Sequence, residues 1–132
     1  MNMAYRAFCE AFFAALDKGD FETLGAMMDP DFVCHEAEGL PYGGAWRGIA
    51  GWKALCKQIV GAWAGVKAVP IEFLGETADT IVLRLQLTGR SRRTGTAFDT
   101  TVMELWRFRD GKLREIVPYY WDTAALVAAD TP

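Results

Sequence analysis

VMELWRFRDGKLREIVPYYWD, Val102 to Asp122, reads as two β-strands folded back about Asp110-Gly111. Asp-Gly suits the two-residue turn with positive φ at both positions, whose twist matches that of the strands it joins. Side chains two apart in a strand share a face, so Phe98, Thr100, Val102, Glu104, Trp106 and Phe108 stand together. The opposite face, from Asp99 to Arg109, mixes Met103 and Leu105 with polar residues and suits a surface that is partly wet or packed on a partner. Glu104 is the anomaly. A carboxylate on an aromatic face has to be paired, protonated or set beside a cavity, because an isolated buried charge is very costly.

The period of two extends upstream. Val69 to Glu76, Thr80 to Thr88, Ala97 to Arg109 and Lys112 to Trp121 form four strands of an antiparallel meander, broken at Asp79, at the Gly89 to Gly95 loop and at Asp110-Gly111. Before residue 65 the spacing is helical. Tyr5, Phe8, Cys9, Phe12, Phe13 and Leu16 line one side of a helix from Asn2 to Lys18. Asp20 caps a second helix, FETLGAMM, closed by Pro30. DFVCHE is a short strand, and AEGLPYGGAWRG a glycine-rich loop or edge hairpin. Ile49 to Trp63 make a third helix ended by Gly65, and DTAALVAA a short last one. Neither repeat nor linker interrupts the order, which predicts one domain over residues 1–132.

Helices first and a meander afterwards predict an α+β fold: a strongly curved antiparallel sheet, a cone, covered on its concave face by the N-terminal helices and enclosing a pocket. Trp46, Trp63, Trp106 and Trp121 either line that pocket or fill it.

The composition excludes several classes. With 52% hydrophobic and 23% charged residues the chain is globular, and no segment has the apolar length needed to cross a bilayer. A net charge of −3 argues against nucleic acid as a partner, and Arg90, Arg92 and Arg93 read as a solvated turn. Cys9, Cys34 and Cys56 are odd in number and unpaired in spacing, which suits free thiols. Arg6 and Glu10 interrupt the apolar N-terminal pattern, so no secretory leader is read and a cytoplasmic location is expected.

The order of elements, with the KGD turn, DPDFVCHE, GLPYGGAWRG and the closing RFRDGKLREIVPYYWD, resembles the nuclear transport factor 2-like superfamily. Within it the chain is similar to the SnoaL-like and ketosteroid-isomerase-like groups. Carried over position by position, the isomerase's general-base aspartate falls on Glu36 and its protonated, oxyanion-binding aspartate on Glu104. Its late pocket tryptophan falls on Trp121. The tyrosine that completes its oxyanion hole falls on Phe12, which has no hydroxyl, and Tyr42 or Tyr119 are the candidates to replace it.

The resemblance thus implies a small, mostly apolar carbonyl compound as ligand, no cofactor, and carboxylate acid–base chemistry in isomerisation, cyclisation or dehydration. The residues themselves point the same way, since Glu36 is in phase with Phe32 and Cys34 as Glu104 is with Val102 and Trp106. If both acids converge in one pocket, desolvation and mutual repulsion raise at least one pKa and give a base beside a neutral acid. The alternative is that each pairs with an arginine such as Arg6 or Arg47. His35, the one histidine, has the opposite phase to Glu36, and either a structural or an acid–base use is open to it. No set of side chains has metal-ligand spacing, so no metal is expected. Two further readings are a binding module without chemistry and a homodimer through the exposed sheet face.

Overall fold

In the computed structural model, residues 4–132 are described. Among them the elements are α1 (Ala4–Asp17), α2 (Phe21–Met27), β1 (Met28–Glu36), β2 (Gly44–Arg47), α3 (Gly48–Ala62), β3 (Trp63–Glu76), β4 (Thr80–Ser91), β5 (Ala97–Arg109), β6 (Lys112–Tyr120) and α4 (Thr123–Ala129). The expected start of the first helix at Asn2 lies outside the described residues. The six strands form one sheet in the order β2-β1-β6-β5-β4-β3. The meander is as expected, and Asp110 and Gly111 turn it with φ of 52° and 77°.

Four details differ from the sequence reading. The junction of β1 with β6 is parallel, so the sheet is mixed: β1 is followed by the β2 hairpin and α3 before the chain returns beside it as the last strand. Pro30 does not close a helix but lies inside β1, where the β1–β6 register slips between Met28 and Val33 and no ladder N–H is required. The third helix stops at Ala62 rather than Gly65. Trp63 already begins β3, and Gly65, at φ 60°, sits where the β3–β4 register shifts. Strand β6 ends at Tyr120, one residue before Trp121.

Three register shifts along β3 bend that strand, and α1, α2 and α3 cover the concave face of the curved sheet. Phe12 of α1 meets Trp52 of α3 and Trp106 of β5 edge to face, at 5.5 and 5.1 Å between ring centroids. Leu24, Leu55, Leu83, Leu113 and Ile116 close around them. Asp20 caps α2 by accepting from Thr23 N at 3.1 Å, and Asp122 caps α4 by accepting from Ala125 N at 2.9 Å.

Candidate functional site

The helices do not fill the concave face completely. A cavity of about 700 Å³ remains, and its lining includes Phe12, Glu36, Tyr42, Glu104, Trp106 and Tyr120. Both acids read from the sequence therefore face one space.

Glu36 is the last residue of β1 and only 7% exposed. Its Oε1 accepts from the Tyr120 hydroxyl at 2.9 Å. Glu104 accepts from Trp106 Nε1 at 2.9 Å, a bond between two side chains on the same face of β5. That bond explains why a glutamate belongs in an aromatic row. The arginine alternative does not hold for Arg6, whose Nε is 2.9 Å from Glu10 on its own helix.

Adjacent strands set the spacing of the two acids. Glu104 lies across from Pro118 of β6, and Cys34 of β1 lies across from Ile116. Continued by two residues, the second register sets Glu36 level with Pro118 from the other side. The carboxyl-bearing strands are thus two spacings apart, about 10 Å. Pro118 between them has no N–H, and the paired positions of β1 and β6 stop at Cys34 and Ile116, where β1 leaves for its hairpin.

Burial dominates the electrostatics. Desolvation pushes the Glu36 carboxyl from 4.5 to about 8, against the Tyr120 hydrogen bond, with the Glu104 charge adding to the rise. Desolvation pushes Glu104 from 4.5 to about 7, opposed by its bond from Trp106. Repulsion between the two is thus the smaller cause. Burial also raises the Tyr42 hydroxyl to about 12 and Cys56 to about 11, and drives Cys9, Cys34 and Tyr120 upward.

The remaining candidates divide sharply. Tyr42 is no exposed loop aromatic: two successive turns, Leu40 N to Ala37 O and Gly43 N to Leu40 O, fold it inward, where it is 2% exposed. A Cβ on Gly43 would lie 2.6 Å from Ala37 O, so that inward fold needs glycine. Trp46 stands half-buried outside the lining and holds the same turn, donating from Nε1 to Tyr42 O at 2.9 Å. Trp63 is fully buried and donates to the Tyr42 hydroxyl at 3.2 Å; like Trp46, it supports the wall rather than forming it.

His35, Tyr119 and Trp121 are not in the cavity. His35 points to the convex side, with Nε2 3.3 Å from Glu115 Oε2. Tyr119 is 60% and Trp121 83% exposed. The residue in their stead is Tyr120, which strict alternation from Leu113 puts outside. The alternation breaks because Arg107 pairs with Glu115 but Phe108 with Leu113, leaving Arg114 as an extra residue that shifts every later side chain of β6 to the other face. The buried pair Leu113 and Ile116, three apart in a strand, is the sequence signal of that bulge.

Residues 9–116 match the SnoaL-like domain. The chain belongs to the SnoaL-like domain family. No curated protein sequence matches it. Among solved structures, this SnoaL-like chain is similar to an NTF2-like protein from Burkholderia xenovorans LB400, at 25% identity and a TM-score of 0.88 over 99% of this chain and 98% of that one. It is also similar to TerC co-crystallized with polyporic acid, at 26% identity and a TM-score of 0.83 over 98% of each chain. A protein with a ketosteroid isomerase-like fold from Catenulispora acidiphila DSM 44928, in complex with trimethylamine, shares the fold at 15% identity and a TM-score of 0.68, over 82% of this chain and 80% of that one. No helix among the described residues is long and apolar enough to cross a membrane.

Proposed function

We propose that this SnoaL-like domain is a cofactor-free proton-transfer enzyme that acts on a small, largely apolar carbonyl compound. The observation that carries the reading is two carboxyl groups in one apolar cavity, each held by a neutral donor. Glu36 takes the proton from a carbon next to the substrate carbonyl, the C–H electron pair moves into the enolate, and protonated Glu104 donates to the enolate oxygen. Isomerisation, cyclisation and dehydration can all begin with this step.

Donor accounting supports the part given to Glu104. Trp106 spends its N–H on Glu104, Trp63 on Tyr42, and Tyr120 its hydroxyl hydrogen on Glu36. Tyr42, which accepts from Trp63, has Tyr120 as its acceptor. Trp52, which also lines the cavity, has its Nε1 buried without an acceptor. Within this hydrogen-bonded set the hydrogen left for a carbonyl oxygen is that of a protonated carboxyl, while Lys67 and the Cys34 and Cys56 thiols also line the cavity. Burial raises both carboxyls to near neutral pH. Because Glu36 is raised further, the shared proton rests mainly on Glu36, so the reacting form, with Glu36 ionised and Glu104 protonated, is the minor arrangement of the one-proton pair.

The test is hydrogen–deuterium exchange next to the carbonyl of an aromatic ketone such as 2-tetralone, followed by NMR in D₂O. Catalysed exchange that Glu36→Gln abolishes, with fold and ketone binding retained, is the expected result. Exchange at the buffer rate across a panel of ketones, with the ketone bound and returned unchanged, would leave a binding module. Phe12 favours that second reading, since it puts a bare ring where the isomerases carry a hydroxyl.

The proposal extends to a homodimer in the cytoplasm. Met103 lies across from Tyr119 on the convex face, and Trp121 extends the patch beyond β6, all three exposed. An exposed apolar patch of this kind fits a second copy. The three free cysteines suit a reducing compartment.

A further inference from the structure

Three side chains stand in line behind Glu36. Trp63 Nε1 is 3.2 Å from the Tyr42 hydroxyl, the Tyr42 and Tyr120 hydroxyls are 3.2 Å apart, and the Tyr120 hydroxyl is 2.9 Å from Glu36 Oε1. An indole N–H only donates, and a phenol has one hydrogen. Tyr42 accepts from Trp63 and sends its hydrogen to Tyr120, which in turn sends its own to Glu36. The sense is set at the near end, where the ionised Glu36 carboxylate can only accept, and Trp63, which can only donate, agrees with it at the far end.

We propose that Trp63, Tyr42 and Tyr120 are positioning residues that commit Glu36 Oε1 to accepting, so that Oε2 is the oxygen that exchanges a proton with the substrate. This deepens the proton-transfer reading of the same cavity and rests on it. The proton leaves the substrate carbon, its bonding pair stays with the substrate as the enolate, and the proton bonds to Oε2. Oε1 then becomes the carbonyl oxygen of the acid and still accepts from Tyr120. Neither tyrosine has to turn between the two states, so the base is organised before the substrate arrives.

The groups facing Glu36 come from four elements besides the turn that carries Tyr42: Cys34 on β1, Cys56 on α3, Tyr120 on β6 and Glu104 on β5. The thiols and phenols stay neutral through the range in which Glu36 titrates, because burial raises each of them. Glu104 is the charge that acts on Glu36, and Glu104→Gln removes it; Asp17 on α1 and Lys67 on β3 also line the cavity.

The experiment is a ¹³C NMR titration of the Glu36 carboxyl in the full chain carrying Glu104→Gln, with and without Tyr120→Phe, Tyr42→Phe or Trp63→Phe. Far-UV circular dichroism checks the fold. Loss of a donor to a carboxylate disfavours the charged form, so Tyr120→Phe should raise the midpoint by roughly one pH unit. Tyr42→Phe and Trp63→Phe should raise it by successively smaller amounts, since each weakens the chain one link further away. The infrared C=O stretch of protonated Glu36 should move to higher frequency in Tyr120→Phe, because its carbonyl oxygen loses a donor. An unmoved midpoint in Tyr42→Phe beside a moved one in Tyr120→Phe overturns the proposal, as does an unmoved stretch. If Trp63→Phe does not fold, Tyr42→Phe decides alone. These readouts need no turnover, so shifted midpoints without ketone exchange would retire the enzyme reading and keep the committed oxygen.

Discussion

The two faces of one sheet use neighbouring residues for opposite ends. His35 and Glu36, Met103 and Glu104, Tyr119 and Tyr120 are adjacent in the chain, yet the first of each pair faces outward and the second the cavity. Outside, Glu115 pairs with Arg107 at 3.1 Å and with His35, a partly solvated cluster in which charge is cheap. Inside, two carboxyls of the same chemistry have one neutral donor each, and burial holds both far above the usual carboxylate range. What makes a glutamate a candidate acid or base here is the face on which it lands.

The largest break in that comparison should come from the two residues at the end of β1. Glu36→Gln is expected to lower ketone exchange by roughly 10²- to 10⁴-fold, the usual worth of a positioned base. His35→Gln should change it less than about twofold, within the small effect expected of a residue outside the cavity. Equal losses in an NMR exchange assay would mean that the two faces do not divide the work.

Protonation gives the next test. With Glu36 near 8 and Glu104 near 7, the pair carries one proton between those values, so exchange should follow a bell-shaped profile with its maximum between about 7 and about 8. Flat activity from acid to alkaline pH would remove the acid–base pair.

Stability should show the same groups with a definite sign. Both folded-state values lie above the 4.5 of the unfolded chain, so the native state binds more protons than the unfolded one in the interval between. The stabilisation is whole below about 4.5 and is lost as pH rises through about 7 and about 8. Glu36→Gln or Glu104→Gln should flatten that decline in urea titrations, at roughly 1.4 kcal/mol for each pH unit that separates the folded from the unfolded midpoint.

The smallest expected effect on the site comes from the outer aromatics. Trp121→Asp should leave exchange per protomer within about twofold, as for other surface changes, while converting a dimer to monomer in sedimentation at micromolar concentration. A monomeric mass for the unaltered protein would remove the dimer.

Much of the fold was legible because its signals are local. The Asp110-Gly111 turn, the helical spacing from Tyr5 to Leu16 and the caps at Asp20 and Asp122 each depend on a few neighbouring residues. Glu36, Glu104, Phe12 and Trp106 were also legible as inward residues, since their strands and helix keep an unbroken period. Tyr120 was not. One extra residue at Arg114 reverses the phase of the rest of β6, and period counting puts Tyr119 and Trp121 in its place. Trp46 and Trp63 read as pocket tryptophans, but their use is to hold Tyr42.

By itself, then, the sequence determined the order of helices and meander, the family, and the presence of two acids on apolar faces, because backbone geometry converts residue spacing directly into a face. Only the tertiary structure decided that both acids share one cavity, that Tyr120 rather than Trp121 borders it, and that Trp63, Tyr42, Tyr120 and Glu36 form one chain. Those contacts join β3, the β1–β2 turn, β6 and β1, positions as far as 84 residues apart. Their meeting depends on a parallel strand pair and a bulge, both set by how the whole sheet closes against its helices.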